Sequence, residues 1–177
     1  MSSPSLTANI QRLIREVPDF PKAGISFKDI TTLLRDGPSF KATIGALAAP
    51  FAGEAIDLVV GVEARGFILG APLALELEAG FVPVRKPGKL PAATLRHEYQ
   101  LEYGSDAVEM HRDAIEKGQR VLLVDDVLAT GGTMAAVCQL AEEAGGTIVG
   151  LSFLLELAFL QGREKLPNYR LEYLVRY

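Results

Sequence analysis

Apolar positions fall into two rhythms along the chain. Leu6, Ile10, Leu13, Ile14 and Val17 recur at helical spacing, and Pro18, which cannot extend a helix, closes that segment. Phe40, Ile44, Leu47 and Phe51 predict a second amphipathic helix, with Ser39 placed to cap it. Between the two, PDFPKAGISFKDI is broken too often by Pro and Gly to predict a regular element. The rhythm then changes. DLVVGV at 57–62 is a short continuous apolar run, the pattern of a strand buried on both faces, and FVPVR (81–85), RVLLVDD (120–126), TIVGLSFLLEL (147–157) and LEYLVRY (171–177) read as further strands. Helices are predicted over 66–80, ended by Gly80, and over 133–146, ended by a glycine pair. Residues 86–104 keep neither rhythm and read as a long excursion or a hairpin, a kind of segment that often covers an active site.

Strands alternating with helices of this length predict an α/β fold, an open, mostly parallel twisted sheet flanked by helices and joined by right-handed crossovers. Ligands of such sheets gather at the carboxyl ends of the strands, which sets Glu63, Ala64, Arg65, Asp125 and Asp126 on one rim. A length of 177 residues predicts a single domain over 1–177. With 49% hydrophobic and 23% charged residues the chain is globular, and its net charge of -4 argues against a general nucleic-acid or membrane-surface binder, so any basic patch is local. No apolar run reaches the ~18 residues of a membrane span. The one cysteine, Cys138, has no partner for an internal disulfide and reads as core; with an N-terminal stretch lacking signal-peptide features, it predicts a cytoplasmic setting.

The densest chemistry lies in VLLVDDVLATGGTM, residues 121–134. Ala129, Thr130, Gly131, Gly132 and Thr133 precede a predicted helix, where unpaired amides and the helix dipole favour an anion and glycines let it approach closely. Asp125 and Asp126 sit some residues back along the same loop and can accept hydrogen bonds from hydroxyls. A ligand with a cis-diol and a phosphate on one small skeleton, such as ribose 5-phosphate, satisfies both groups. The alternative is a turn cap, a surface ion pair and a tight loop. Neither G-x-x-x-x-G-K-[ST] nor G-x-G-x-x-G is present.

VLLVDDVLATGGT resembles the 5-phosphoribosyl 1-pyrophosphate (PRPP) motif of the type I phosphoribosyltransferases. PDFPKAGISFKDIT (18–31), VEARGF (62–67), RKPGKLP (85–91), LEYG (101–104) and GREKL (162–166) extend the likeness over nearly the whole chain, to the adenine-using branch. The resemblance implies a purine-salvage transferase that makes AMP and pyrophosphate from adenine and PRPP with Mg2+. It implies a base-binding hood over about 1–36, a flexible catalytic loop over about 86–104, and a homodimer in which that loop reaches across the interface. Asp125 and Asp126 then hold the ribose hydroxyls and 129–133 the 5-phosphate. Ala64 and Arg65 bind pyrophosphate, with unusual peptide geometry between them and Arg65 as principal ligand, where the bland alternative is an ion pair from Arg65 to Glu63. Arg85, Lys86 and Lys89, which taken alone read as solvated surface, add positive charge for the pyrophosphate. Phe27 stacks on adenine, the main chain of Ser26 reads its edge, and Leu157 packs against it or serves only as core. Lys28 stands where the family has arginine, so the planar fork is lost. Glu102 is the candidate for proton transfer and Tyr103 for the lid. No direct protein ligand to the metal is implied, Mg2+ being held mainly through PRPP and water. Related readings are a transferase for another purine, separated by the hydrogen-bond polarity of the 6-position, and a non-catalytic sensor. The sensor reading lacks any helix-turn-helix signal.

Overall fold

The structure, a computed structural model, describes residues 5–100 and 105–177. Helix α1 spans Leu6–Leu13 under a Ser5 cap that accepts from the Ala8 amide. It stops one turn before Pro18, because Ile14 is already extended and Arg15–Val17 forms strand β1. Its partner β2, Phe27–Asp29, lies in the Pro- and Gly-broken segment expected to be irregular. Here a cross-strand ion pair, Arg15 Nε to Asp29 Oδ2 at 3.0 Å, does what apolar alternation does elsewhere, so periodicity carried no sign of it.

Asp29 then accepts from the Thr31 amide to start the short α2, Thr31–Leu34. Helix α3, Gly37–Ala48, is capped by Asp36, which accepts from the Ser39 amide at 3.0 Å. Ser39 lies inside the helix and does not cap it; its carbonyl accepts from the buried Thr43 hydroxyl. Phe51 closes the following 3-10 turn and is fully buried.

Strand β3, Leu58–Val62, leads to α4, Arg65–Glu76, and β4, Gly80–Val84. Glu78, at φ 54°, takes the left-handed position that ends α4, and Gly80 begins β4 in place of the helix-ending role expected of it. Of the 86–104 segment, Thr94–Gln100 forms strand β5, which pairs antiparallel with β6 at Ser105–His111. Strand β7 runs Arg120–Leu128, α5 Gly132–Glu143, β8 Thr147–Glu156 and β9 Leu171–Arg176. β7 therefore continues two residues past Asp126, so both acids sit in the strand, as the 120–126 run predicts, and not on the loop of the glycine motif.

The main sheet has the order β4-β3-β7-β8-β9 with every pair parallel. One core layer joins it to α5 and the β5–β6 hairpin through Val108, Met110, Val137 and Leu140; the other joins it to α1–α4 through Ile10, Leu33, Leu47 and Leu69. Each of these fully buried Leu, Ile, Val or Met side chains contributes roughly 1.5–3 kcal/mol. Cys138 lies in the first layer, where burial pushes its thiol up to about 12. The chain leaves β3 for the β4 edge but leaves β7 for the β9 edge, so winding reverses between two central neighbours. A crevice opens at such a switch point, outside the carboxyl ends of the strands.

Candidate active site

The crevice is a cleft of about 550 Å³ between the ends of β3 and β7, and its lining includes Glu63, Ala64, Arg65, Asp125 and Asp126, the rim expected from the strand ends. From β3 the chain turns directly into α4, which starts at Arg65 without a side-chain cap. The peptide between Glu63 and Ala64 is cis, so the unusual bond precedes the expected Ala64–Arg65 bond by one. Gly66 is the close-approach position: a Cβ there would lie 2.9 Å from Asp125 Oδ1.

Arg65 does not pair with Glu63. Its Nε stands 2.9 Å from Asp126 Oδ2, and its guanidinium carbon lies 4.9 Å from the Phe27 ring centroid. Asp126 is 4% exposed, and its Oδ2 accepts no hydrogen bond from the described residues, the Arg65 contact being one of charge alone. Asp125 Oδ1 accepts from the Asp126 amide at 2.8 Å. Burial drives the Asp125 carboxyl well above the usual carboxylate range, and the Asp126 charge adds to it. Burial also raises Asp126, opposed by Arg65. The pair is thus short of donors and rich in acceptor capacity, which is what a ligand bearing neighbouring hydroxyls completes.

Past the acids, a recess of about 70 Å³ is lined by Ala129, Thr130, Gly131, Gly132 and Thr133. Both cavities share Asp125, Val127, Ala129 and Thr133, so the recess opens onto the cleft. Gly131, at φ 76°, turns the chain into α5, whose first amides have neither intrahelical acceptors nor a side-chain cap. That is the geometry of an anion site.

At the other end, Ser26, Phe27, Lys28, Leu157 and Leu160 line the cleft. Phe20 packs edge-on against Phe27 with centroids 5.2 Å apart and fixes its plane. The Lys28 ammonium is committed elsewhere: it pairs with Glu16 and lies 4.3 Å from the Tyr177 ring centroid.

The three basic residues of 85–89 separate. Lys86 lines the cleft, held by Tyr99 and by an ion pair to Asp106. Burial lowers the Lys86 pKa, but these bonds outweigh it and the net shift is upward. Arg85 and Lys89 converge on Glu63, at 2.8 and 2.7 Å. Burial pushes the Glu63 carboxyl up, yet the hydrogen bonds from Lys89 and Arg85 outweigh it and leave the group below its ordinary value. Sequence reasoning missed Glu63, Tyr99 and Asp106 as the partners of these cations. The alternation of the 94–111 hairpin, which sets Tyr99 opposite Asp106, was the signal available. Glu102 and Tyr103 lie outside the described residues.

Residues 31–171 match the phosphoribosyl transferase domain. An adenine phosphoribosyltransferase of Geobacter metallireducens is 61% identical over 159 residues, 90% of this chain and 93% of that protein. The crystal structure of adenine phosphoribosyltransferase from Thermoanaerobacter pseudethanolicus superposes with a TM-score of 0.94 at 54% identity, covering 97% of this chain and 99% of that one. That of Saccharomyces cerevisiae, complexed with an imino-altritol bisphosphate and adenine, gives 0.92 at 41% identity over 96% and 98%. Matched in sequence and in fold over nearly its whole length, the chain belongs to the phosphoribosyl transferase family, among the adenine phosphoribosyltransferases.

Proposed function

We propose that the cleft transfers the 5-phosphoribosyl group of PRPP to adenine, releasing AMP and pyrophosphate, a purine-salvage reaction. One observation carries this reading: Phe27, Arg65 and Asp126, in successive contact, line one cleft that shares Asp125, Ala129 and Thr133 with the anion recess. The order matches base, pyrophosphate, ribose and 5-phosphate on the reacting pair. The yeast relative, which holds adenine and a sugar bisphosphate, supports the same substrates here.

In this reading the 5-phosphate sits on the amides and hydroxyls of 129–133, and Asp125 and Asp126 accept the ribose hydroxyls. Phe27 stacks on adenine, contributing on the order of 1–3 kcal/mol, while Ser26 main-chain groups read the base edge and Leu157 packs beside it. The bond from the anomeric carbon to the pyrophosphate oxygen breaks, its electron pair leaving with pyrophosphate. The adenine N9 lone pair then bonds to the carbon, and the N9 proton leaves to a base, the role assigned to Glu102. Arg65 must exchange Asp126 for pyrophosphate oxygens as PRPP enters; Lys86 adds charge, and Arg85 and Lys89 join once released from Glu63. Catalysis is mainly positioning and charge stabilisation, with Tyr103 in the closing lid.

The donor set fits Mg2+, because the acids facing the cleft present hard oxygens and leave room for a water-rich ion held mainly through PRPP. When bound, that ion neutralises pyrophosphate charge. A homodimer is supported by α4, whose Ile68, Ala71 and Leu75 are exposed beside Pro72, an apolar strip at helical spacing with no partner among the described residues. A reducing compartment such as the cytoplasm suits the buried Cys138 thiol.

The test is pyrophosphate release from PRPP and Mg2+ with adenine, hypoxanthine, guanine or xanthine. Release with adenine alone, stopped by EDTA, is expected; release with hypoxanthine instead would reassign the base. Glu102→Gln lowers kcat by about 10²-fold or more while the KM for PRPP holds. Unchanged turnover would remove Glu102 from the proton step.

A further inference from the structure

Behind the anion recess lies a second turn that the reaction scheme does not use. Glu156 ends β8, is 3% exposed, and pairs in register with Leu128, a recess-lining residue next to Ala129. Its carboxylate takes Arg163 Nε at 3.1 Å and a second Arg163 nitrogen at 3.4 Å, and Arg176 Nε of β9 at 3.4 Å. A carboxylate so shielded from water is tolerated only when paired, and the bidentate Arg163 fork supplies direction as well as charge.

Arg163 belongs to the 3-10 turn Gly162–Lys165, further steadied by the Tyr173 ring 5.5 Å from its guanidinium carbon. The turn backs directly onto the recess. A Cβ on Gly162 would collide with the Ala129 carbonyl oxygen and lie 2.8 Å from the Gly131 nitrogen, and one on Gly131 would collide with the Gly162 carbonyl oxygen. The two backbones touch with no side chain between them.

We infer that Glu156 is a positioning residue for the 5-phosphate cradle: by gripping Arg163 it presses the Gly162 turn against Ala129–Gly131 and so fixes where the cradle amides point. A preformed anion site gains affinity from having its amides held before the ligand arrives, and a loosened backing gives that up. The inference rests on 129–133 being the phosphate cradle, so that assignment needs its own control.

The experiment is calorimetric titration of the full chain with ribose 5-phosphate, beside steady-state KM values for PRPP and adenine. Arg163 is half exposed and Arg176 still pairs with Glu156 when it is removed, so Arg163→Met leaves a folded protein; its Kd for ribose 5-phosphate rises roughly fivefold, Glu156→Gln follows, and Arg163→Lys falls between. The KM for adenine moves by less than about twofold in all three. Thr130→Ala and Thr133→Ala test the cradle. If they weaken ribose 5-phosphate binding and Arg163→Met does not, the positioning role is overturned and the cradle stands. If neither threonine matters, the cradle assignment itself fails. Equal rises in both KM values would mark a general structural role and also overturn the inference.

Discussion

Asp125 and Asp126 oppose stability at the place where they line the cleft. The Asp125 carboxyl is raised in the fold, first by burial and then by its neighbour's charge, so the folded chain binds that proton more tightly than the unfolded chain does. Its contribution to stability is fully present below the ordinary carboxylate pKa of about 4 and is lost as pH rises through the raised value. Near neutral pH the cost is in place. Asp125→Asn keeps an oxygen for the Asp126 amide and removes the charge, so the ligand-free Tm at about pH 7.5 rises by ~2–4 °C for each kcal/mol recovered. That gain fades toward about pH 4, and the Kd for PRPP weakens by about tenfold or more. A thermal melt in which the variant is the less stable at neutral pH contradicts this account. The placing of the adjacent acids on the cleft rim was legible from the sequence. Their cost was not, because it depends on Gly66 and the two strands that shut Asp125 in.

Elements were legible where one face or both are continuously apolar, and not where ends depend on single polar contacts. The central strands follow from runs such as LVVGV and RVLLV. The cap of α3 passed from Ser39 to Asp36, the end of α4 from Gly80 to Glu78, and β1–β2 emerged from a segment with no period. Each outcome turns on one hydrogen bond, dihedral or ion pair that competes closely with its neighbours in sequence. The cradle behaves differently, because its glycines are read from sequence but their reason is a contact across thirty residues. Gly131→Ala meets both a positive φ and the Gly162 carbonyl, so it costs ~1–3 kcal/mol in urea unfolding and raises the KM for PRPP. Gly37→Ala, with nothing within 4 Å and no positive φ, serves as the control: it costs no stability and leaves the KM unchanged.

For the whole molecule, the apolar strip on α4 sets the expected assembly. Leu75 is 81% exposed, so Leu75→Asp leaves the monomer fold intact while placing a charge in any face made by this strip. Sedimentation should show a dimer for the parent chain and a shift to monomer for the variant; a monomeric parent would end the homodimer reading. The amino-acid order by itself determined the alternation of strands and helices, and with it the parallel sheet. It also determined the phosphoribosyl motif and the placing of Arg65 and the acids on one rim, because apolar period and local chemistry are properties of short stretches. Tertiary structure decided the pairings. Arg65 met Asp126 and Phe27 in place of Glu63, Arg85 and Lys89 closed on Glu63, and Glu156 reached the cradle through Arg163. Long charged side chains choose among partners by distance in space, and that distance exists only once the β3–β7 switch has folded.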